Sequence, residues 1–125
     1  MRTAICLSGL ARSYQKTWSL FERNVLGPLR ERGSVDIFIS IWDTMDLRAL
    51  SPRGMADEPK VDVEEIRRLY LPIALDVEEF TPLREQFVLG KFVAQGRPAR
   101  SVIKDGVLTA APAQYKVLRC NDLKR

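Results

Sequence analysis

Two short apolar runs, one around Ile5-Cys6-Leu7 and one from Val35 to Trp42, flank a segment whose large apolar residues recur at helical spacing. Runs with so little polar interruption suit strands covered on both faces, as in a parallel sheet. Between them, Trp18, Phe21, Val25 and Leu29 fall on one face of a helix that starts near Ser13, and this stripe is read as core. Gly27-Pro28 should kink or end that helix, because proline lacks the amide that a helix interior needs. The order is strand, helix, strand: residues 3–7, the helix starting near Ser13, and residues 35–42. A parallel crossover of this kind brings both strand ends to the same edge of the sheet.

The alternation continues further along the chain. Residues 44–61 hold Pro52, Gly54 and Pro59 among mixed charges and read as a long surface loop. Asp62 with Glu65 resembles a capping box, and Val63, Ile66, Leu69 and Tyr70 make the apolar stripe of the helix it opens, which Pro72 stops. Residues 73–77 form a third strand, with Glu78-Glu79 as a solvated exit. A short helix is expected over 83–92, and Asp105-Gly106 can be the turn of a two-residue hairpin. Pro112 opens a last helix containing Tyr115, Val117, Leu118, Cys120 and Leu123, which runs to Arg125 without a capping signal. These elements predict one α/β domain over 1–125, a mostly parallel sheet with helices on its faces. Three strands are few for such a sheet, so the expectation is a partial fold truncated at its C-terminal side.

Composition narrows the chemistry. With 125 residues, 46% of them hydrophobic, the chain has material for one modest core. Its net charge of +4 is uneven: residues 1–34 carry 6 Lys/Arg against 2 Asp/Glu, 35–79 carry 5 against 11, and the remainder 9 against 3. That pattern suits local attraction of anions. The chain has no long basic run interleaved with aromatics, so no nucleic-acid partner is expected. Histidine is absent, and the two cysteines, Cys6 and Cys120, sit in separate elements, which excludes a Cys/His metal site or catalytic pair. Whether those two thiols meet is not legible from spacing; a lone cysteine on a strand, as Cys6 is, reads as a small buried apolar residue, and reduced thiols are expected. No apolar stretch approaches membrane-spanning length and no secretion signal leads the chain, so a cytoplasmic location without a membrane span is expected.

Candidate chemistry concentrates at the strand ends. Ser8-Gly9-x-x-Arg12 follows the first strand: glycine lets backbone amides approach a ligand, the next helix offers its N-terminus, and arginine supplies a planar cation for phosphate oxygens. Asp43 follows the second strand and can accept hydrogen bonds from a base or ribose hydroxyl, or cap the next turn. Side by side, these loops would form a crevice where open α/β folds bind nucleotides. A P-loop is disfavoured, since Gln15 stands where that pattern needs glycine before Lys16-Thr17. Asp43 and Asp46 are too loosely spaced for a metal pair and read as surface charge.

Taken together, Ile5-Cys6-Leu7-Ser8-Gly9-x-x-Arg12-x-Tyr14 and Asp36-Ile37-Phe38-Ile39-x-x-Trp42-Asp43 resemble the N-terminal part of a family of bacterial and viral glycosyltransferase-like proteins of the nucleotide-diphospho-sugar transferase (GT-A) superfamily. Tyr115-Lys116-x-x-x-Cys120-Asn121-x-Leu123-Lys124 looks like the helix preceding that family's metal-binding strand. The resemblance implies a three-layer α/β/α, Rossmann-like fold that uses a nucleotide sugar, with Mn or Mg on its diphosphate, to build surface polysaccharide or glycoconjugate on a saccharide acceptor. Ser8, Gly9 and Arg12 would line the nucleotide site, and Asp43 would lie near the nucleoside. The family commonly has His-Thr before Trp-Asp, where this chain has Ser40-Ile41. The acidic metal motif of the family would follow Arg125, so the chain is expected to bind nucleotide and to be inactive alone. Two alternatives stand beside it. One is a non-catalytic α/β interaction domain whose exposed sheet edge is covered by a partner or a second copy. The other is a phosphotransferase or sulfotransferase using Arg12-x-x-x-Lys16.

Overall fold

The computed structural model describes residues 1–45, 60–80, 93–94, 97–98, 103–104, 107–108 and 111–125. Strands β1 (Arg2–Gly9), β2 (Ser34–Trp42) and β3 (Ala74–Glu78) form a parallel sheet in the order β1-β2-β3. Gly9 stands opposite Ile41, and Trp42 opposite Glu78, so all three strands end at one edge. The protein is of the α/β class.

Burial follows position in the sheet. β2 lies in the middle, and every residue from Ile37 to Trp42 is buried. β1 was expected to be covered on both faces; instead it alternates between exposed Arg2, Ala4, Cys6 and Ser8 and half-buried residues between them. It pairs with β2 alone among the described strands, and an end strand receives less cover than a central one.

Alternation sends the side chains of each strand to opposite faces. The odd-numbered Ile37, Ile39 and Ile41, with Ile5 and Leu7 from β1 and Leu75 and Val77 from β3, pack with residues of α1 (Tyr14–Phe21) and of a second helix, Val63–Tyr70. Tyr14, Ile66 and Tyr70 are the buried contributions of those helices. The even-numbered face receives the C-terminal helix, Ala111–Leu123, whose Cys120 and Lys116 are buried against it.

Gly27-Pro28 does not end the first helix. The chain passes from α1 through a π-helical turn, Glu22–Leu26, into α2 (Gly27–Arg32), with the Gly27 amide bonding to the Glu22 carbonyl. Pro28 thereby falls in a first turn, where its missing amide has no helical partner to lose. The wider turn also shifts the helix phase. Leu26, 0% exposed, takes the inward position expected of Val25, which is 37% exposed.

The helix Val63–Tyr70, α3, begins as expected: the Asp62 carboxylate accepts a 3.1 Å hydrogen bond from the Glu65 amide. It ends at Leu71, whose left-handed φ of 45° precedes Pro72. Asp62→Ala should lower stability by about 1 kcal/mol, read as a lower urea midpoint, while Asp62→Asn should keep most of it. An unchanged midpoint in the alanine variant would show that the cap carries no weight.

Two small antiparallel pairs follow, β4 (Val93–Ala94) with β5 (Arg97–Pro98), and β6 (Ile103–Lys104) with β7 (Val107–Leu108). Lys104 opposite Val107 is the pairing expected around Asp105-Gly106; the turn residues themselves lie outside the described residues. The first pair was not anticipated. Outside the described residues too are the helix expected over 83–92 and, with Asp46, most of the 44–61 segment, whose ends Thr44 and Lys60 are joined by an antiparallel bridge. The helix Ala111–Leu123 is α4.

Candidate functional site at the carboxyl edge of the sheet

The end of β1 turns at Gly9, whose φ of 107° is costly for any side chain. An added Cβ there would meet nothing within 4 Å, so the backbone conformation, and not crowding, calls for glycine. Four residues later Ser13 precedes α1 without a side-chain cap; the Lys16 amide bonds to the Ser13 carbonyl at 3.0 Å, and the amides of Tyr14 and Gln15 before it are the ones a helix start leaves for an acceptor. A cavity of about 470 Å³ opens here, lined by polar Ser8, Arg12 and Ser13 and by apolar Leu7, Ile41 and Tyr70. Pockets of this size accept nucleoside-sized ligands. Arg12 is exposed, and no hydrogen bond or ion pair ties it to another described residue. Its guanidinium is thus available to an anion.

Tyr14 belongs to the same wall. It is buried, and its hydroxyl has no hydrogen-bond partner among the described residues. Burial raises its pKa, and the charges of Glu65 and Asp62 add to that rise against the opposing influence of the Asp62 amide. The cavity therefore combines a cation without a partner among the described residues and a helix start without a side-chain cap.

Asp43 sits at the tip of the neighbouring strand, on the same edge, but in a different cavity. Its backbone joins two segments, through Asp43 N–H to the Glu78 carbonyl at 2.9 Å and the Val61 amide to its own carbonyl at 2.8 Å. Its carboxylate accepts from the Phe80 amide at 3.2 Å and from Lys60 Nζ at 2.9 Å. With both oxygens engaged, Asp43 ties β2 to the exit of β3 and the approach to α3. The second cavity, about 570 Å³, has Asp43, Lys60, Arg67 and Glu79 in its wall over apolar Leu75 and Val77. Ser8, Gly9 and Arg12 therefore form one group, with Asp43 a strand away.

A polar cluster that sequence reading missed lies on the even-numbered face. Lys116 of α4 is 0% exposed, with Nζ 3.2 Å from Asp76 Oδ2 and 3.0 Å from Glu78 Oε1. The ammonium also stands 4.5 Å above the centre of the Trp42 ring, a cation–π contact. Tyr115 stacks on Trp42 at 5.6 Å and donates its hydroxyl to Glu78 Oε2 at 2.9 Å. Ser40 donates to Asp76 at 2.7 Å, and Arg119 approaches both carboxylates from 3.5–3.6 Å. Glu78 was read as a solvated strand exit; it is instead half-buried and paired, because α4 returns over the end of β3.

The charges settle accordingly. Burial, the largest influence on Asp76, would raise its pKa, yet the Ser40 hydrogen bond with Lys116 and Arg119 holds it below the ordinary carboxylate value. Burial and the bond to Glu78 push Tyr115 up to about 12. The available signal was positional: Asp76 and Glu78 two apart on a strand, with Lys116 and Arg119 three apart on a helix, place like charges on single faces.

No family model, curated protein or solved structure matches this chain. What the edge can hold follows from its own side chains. Among the described residues no three His, Cys, Asp or Glu side chains are placed to hold a metal ion together. The acidic pair Asp76 and Glu78 faces Lys116 and Arg119, an arrangement that satisfies the carboxylates and does not fit a divalent cation.

Proposed function

We propose that this protein binds a nucleotide sugar through its diphosphate at the end of β1, as the nucleotide-binding portion of a GT-A-type glycosyltransferase fold serving polysaccharide or glycoconjugate synthesis. The observation that carries the reading is Arg12, an exposed guanidinium without a partner among the described residues, beside an uncapped helix start and a cavity of about 470 Å³. A guanidinium pairs with phosphate oxygens bidentately, and helix amides add further donors. Leu7, Ile41 and Tyr70 offer the apolar wall a nucleoside needs. Asp43 acts in this proposal by fixing the edge, through Lys60 and the Phe80 amide. No catalytic step is assigned, since the residues described do not fit the cation that would offset charge on the departing diphosphate.

Titration calorimetry with uridine and guanosine diphosphates and their sugar conjugates tests the proposal. Binding is expected to weaken about tenfold to a hundredfold in Arg12→Ala, as loss of a charge-assisted contact implies, and less in Arg12→Lys. Absence of heat with every nucleotide, from folded protein, would overturn it. Binding that requires a terminal triphosphate or sulfo group would instead support a phosphotransferase or sulfotransferase.

A second reading rests on β1 as the end strand of the sheet. Ala4, Cys6 and Ser8 are open, and β1 pairs on one side only among the described strands. A concentration-dependent oligomer indifferent to nucleotides would favour an interaction domain.

A further inference from the structure

The two cysteines stand 114 positions apart, yet the Cys6 sulfur lies against the Cys120 backbone, and the Cys120 sulfur lies against the backbone of Leu7, the neighbour of Cys6. Cys6 Sγ, of an exposed residue on the face of β1 that α4 approaches, is 3.9 Å from the Cys120 carbonyl; Cys120 Sγ, buried under α4, is 3.7 Å from the carbonyl of Leu7, next to Cys6. The Cys120 thiol also donates to the Phe38 carbonyl at 3.3 Å, which holds it over the β1–β2 pair. Both thiols are free. From this approach of an exposed thiol to a buried one, across the contact between the first strand and the last helix, we propose that Cys6 and Cys120 form a reversible disulfide by exchange with a low-molecular-weight disulfide such as oxidised glutathione.

The steps balance as follows. Cys6, as thiolate, attacks one sulfur of glutathione disulfide, forming a mixed disulfide and releasing one glutathione thiolate that takes up a proton. Cys120 then gives up its proton and attacks the Cys6 sulfur, displacing the second glutathione as thiolate. The two protein thiols lose two electrons, and the glutathione disulfide gains them. The order of attack is set by access, because Cys6 is exposed and Cys120 is not. The second step is the slow one: burial, helped by the neighbouring Cys6, pushes the Cys120 thiol up to about 12, so its thiolate is scarce near neutrality. Lys124 is the cation that opposes this rise, and the Ser40 backbone also lowers it.

The bond would clasp α4 to β1. It closes nearly the whole chain into a loop, the geometry in which a crosslink most restricts the unfolded ensemble. Cys6 also lines the cavity that holds Arg12, so the same chemistry modifies the wall of the proposed nucleotide site. The disulfide itself does not depend on that site binding anything.

Incubating the folded protein with oxidised glutathione, followed by thiol counting, intact mass and peptide mapping, tests the inference. Wild type should pass through a Cys6–glutathione adduct to a monomer lacking both thiols and lighter by two hydrogen atoms, with a Cys6–Cys120 crosslinked peptide. Loss of the adduct should accelerate about tenfold per pH unit from 7 to 9, following the thiolate fraction of Cys120. Cys120→Ala should stop at the adduct, and Cys6→Ser should leave Cys120 unreacted while folded. The crosslinked monomer should melt several degrees higher than the reduced one, and dithiothreitol should reverse the shift. An adduct that persists in wild type at pH 9, or disulfide-linked dimers in place of the monomeric crosslink, would overturn the proposal.

Discussion

Lys116→Ala should lower the stability of this protein by about 3–5 kcal/mol, the usual loss when one member of a buried ion pair is removed. Lys116 is fully buried, with Asp76 and Glu78 within 3.2 Å and the Trp42 ring beneath its ammonium. Truncation would leave two half-buried carboxylates with the longer Arg119 contacts of 3.5–3.6 Å as their remaining cationic compensation, beside the neutral hydrogen bonds from Ser40 and Tyr115. It would also open a void beside Trp42, which is 1% exposed. Against a total that is ordinarily about 5–15 kcal/mol, such a loss decides whether α4 stays on the sheet. Lys116→Met separates the two contributions, since it restores the packing without the charge. Urea denaturation should find both variants destabilised, alanine more than methionine. Replacing Asp76 by Asn and Glu78 by Gln together with Lys116→Met should recover part of the loss, because no uncompensated charge remains. A methionine variant as stable as the parent would mean that the cluster holds α4 by shape alone.

Stability should also fall steeply between pH 9 and 12. Burial raises the Cys120 thiol from 9.0 to about 12, and burial with the Glu78 hydrogen bond raises Tyr115 from 10.0 to about 12. Burial raises Tyr14 and Tyr70 in the same sense. In each case the unfolded chain loses its proton first, so over that window the unfolded state binds fewer protons and rising pH favours it. The stabilisation is whole below the unfolded values and disappears as pH climbs through the folded ones. At about 1.4 kcal/mol per pKa unit, Cys120 and Tyr115 each contribute on the order of 2–4 kcal/mol to the fall. Urea midpoints measured from pH 8 to pH 11.5 should decline, starting near pH 9. Cys120→Ala should delay the onset to about pH 10, and Tyr115→Phe should flatten the remainder. A midpoint that stays level to pH 11.5 would show that these groups ionise as freely in the folded chain as in the unfolded one.

The same cluster shows how far the sequence could be read. Val35 to Trp42 is a nearly continuous apolar run, and β2 is the buried central strand that such a run implies. Asp62 with Glu65 marked the start of α3 correctly, since a cap needs only residues three apart. Phase was harder. Val25 satisfied the helical spacing, but a π-helical turn before Pro28 handed its place to Leu26, and single-residue shifts of this kind leave no trace in a periodic pattern.

The candidate site divides in the same way. Ser8, Gly9 and Arg12 were legible together because a short loop after a strand keeps them adjacent whatever the rest of the chain does. Asp43 was legible as a strand-end carboxylate. That its oxygens are taken by Lys60 and the Phe80 amide depends on segments 17 and 37 positions away. The solvated reading of Glu78 failed for a similar reason: its partners, Tyr115 and Lys116, arrive from 37 and 38 positions downstream.

Local order therefore came from residue identity: which segments are strands, where α3 begins and why Gly9 turns the chain. Pairings did not. Lys116 with Asp76 and Glu78, Cys6 beside Cys120, and the separation of Arg12 from Asp43 into two cavities all arise when α4 and α3 settle on opposite faces of one sheet. The physical reason is range: propensity, capping and turn strain act over a few residues, whereas burial and ion pairing act between whichever surfaces the packed elements bring into contact.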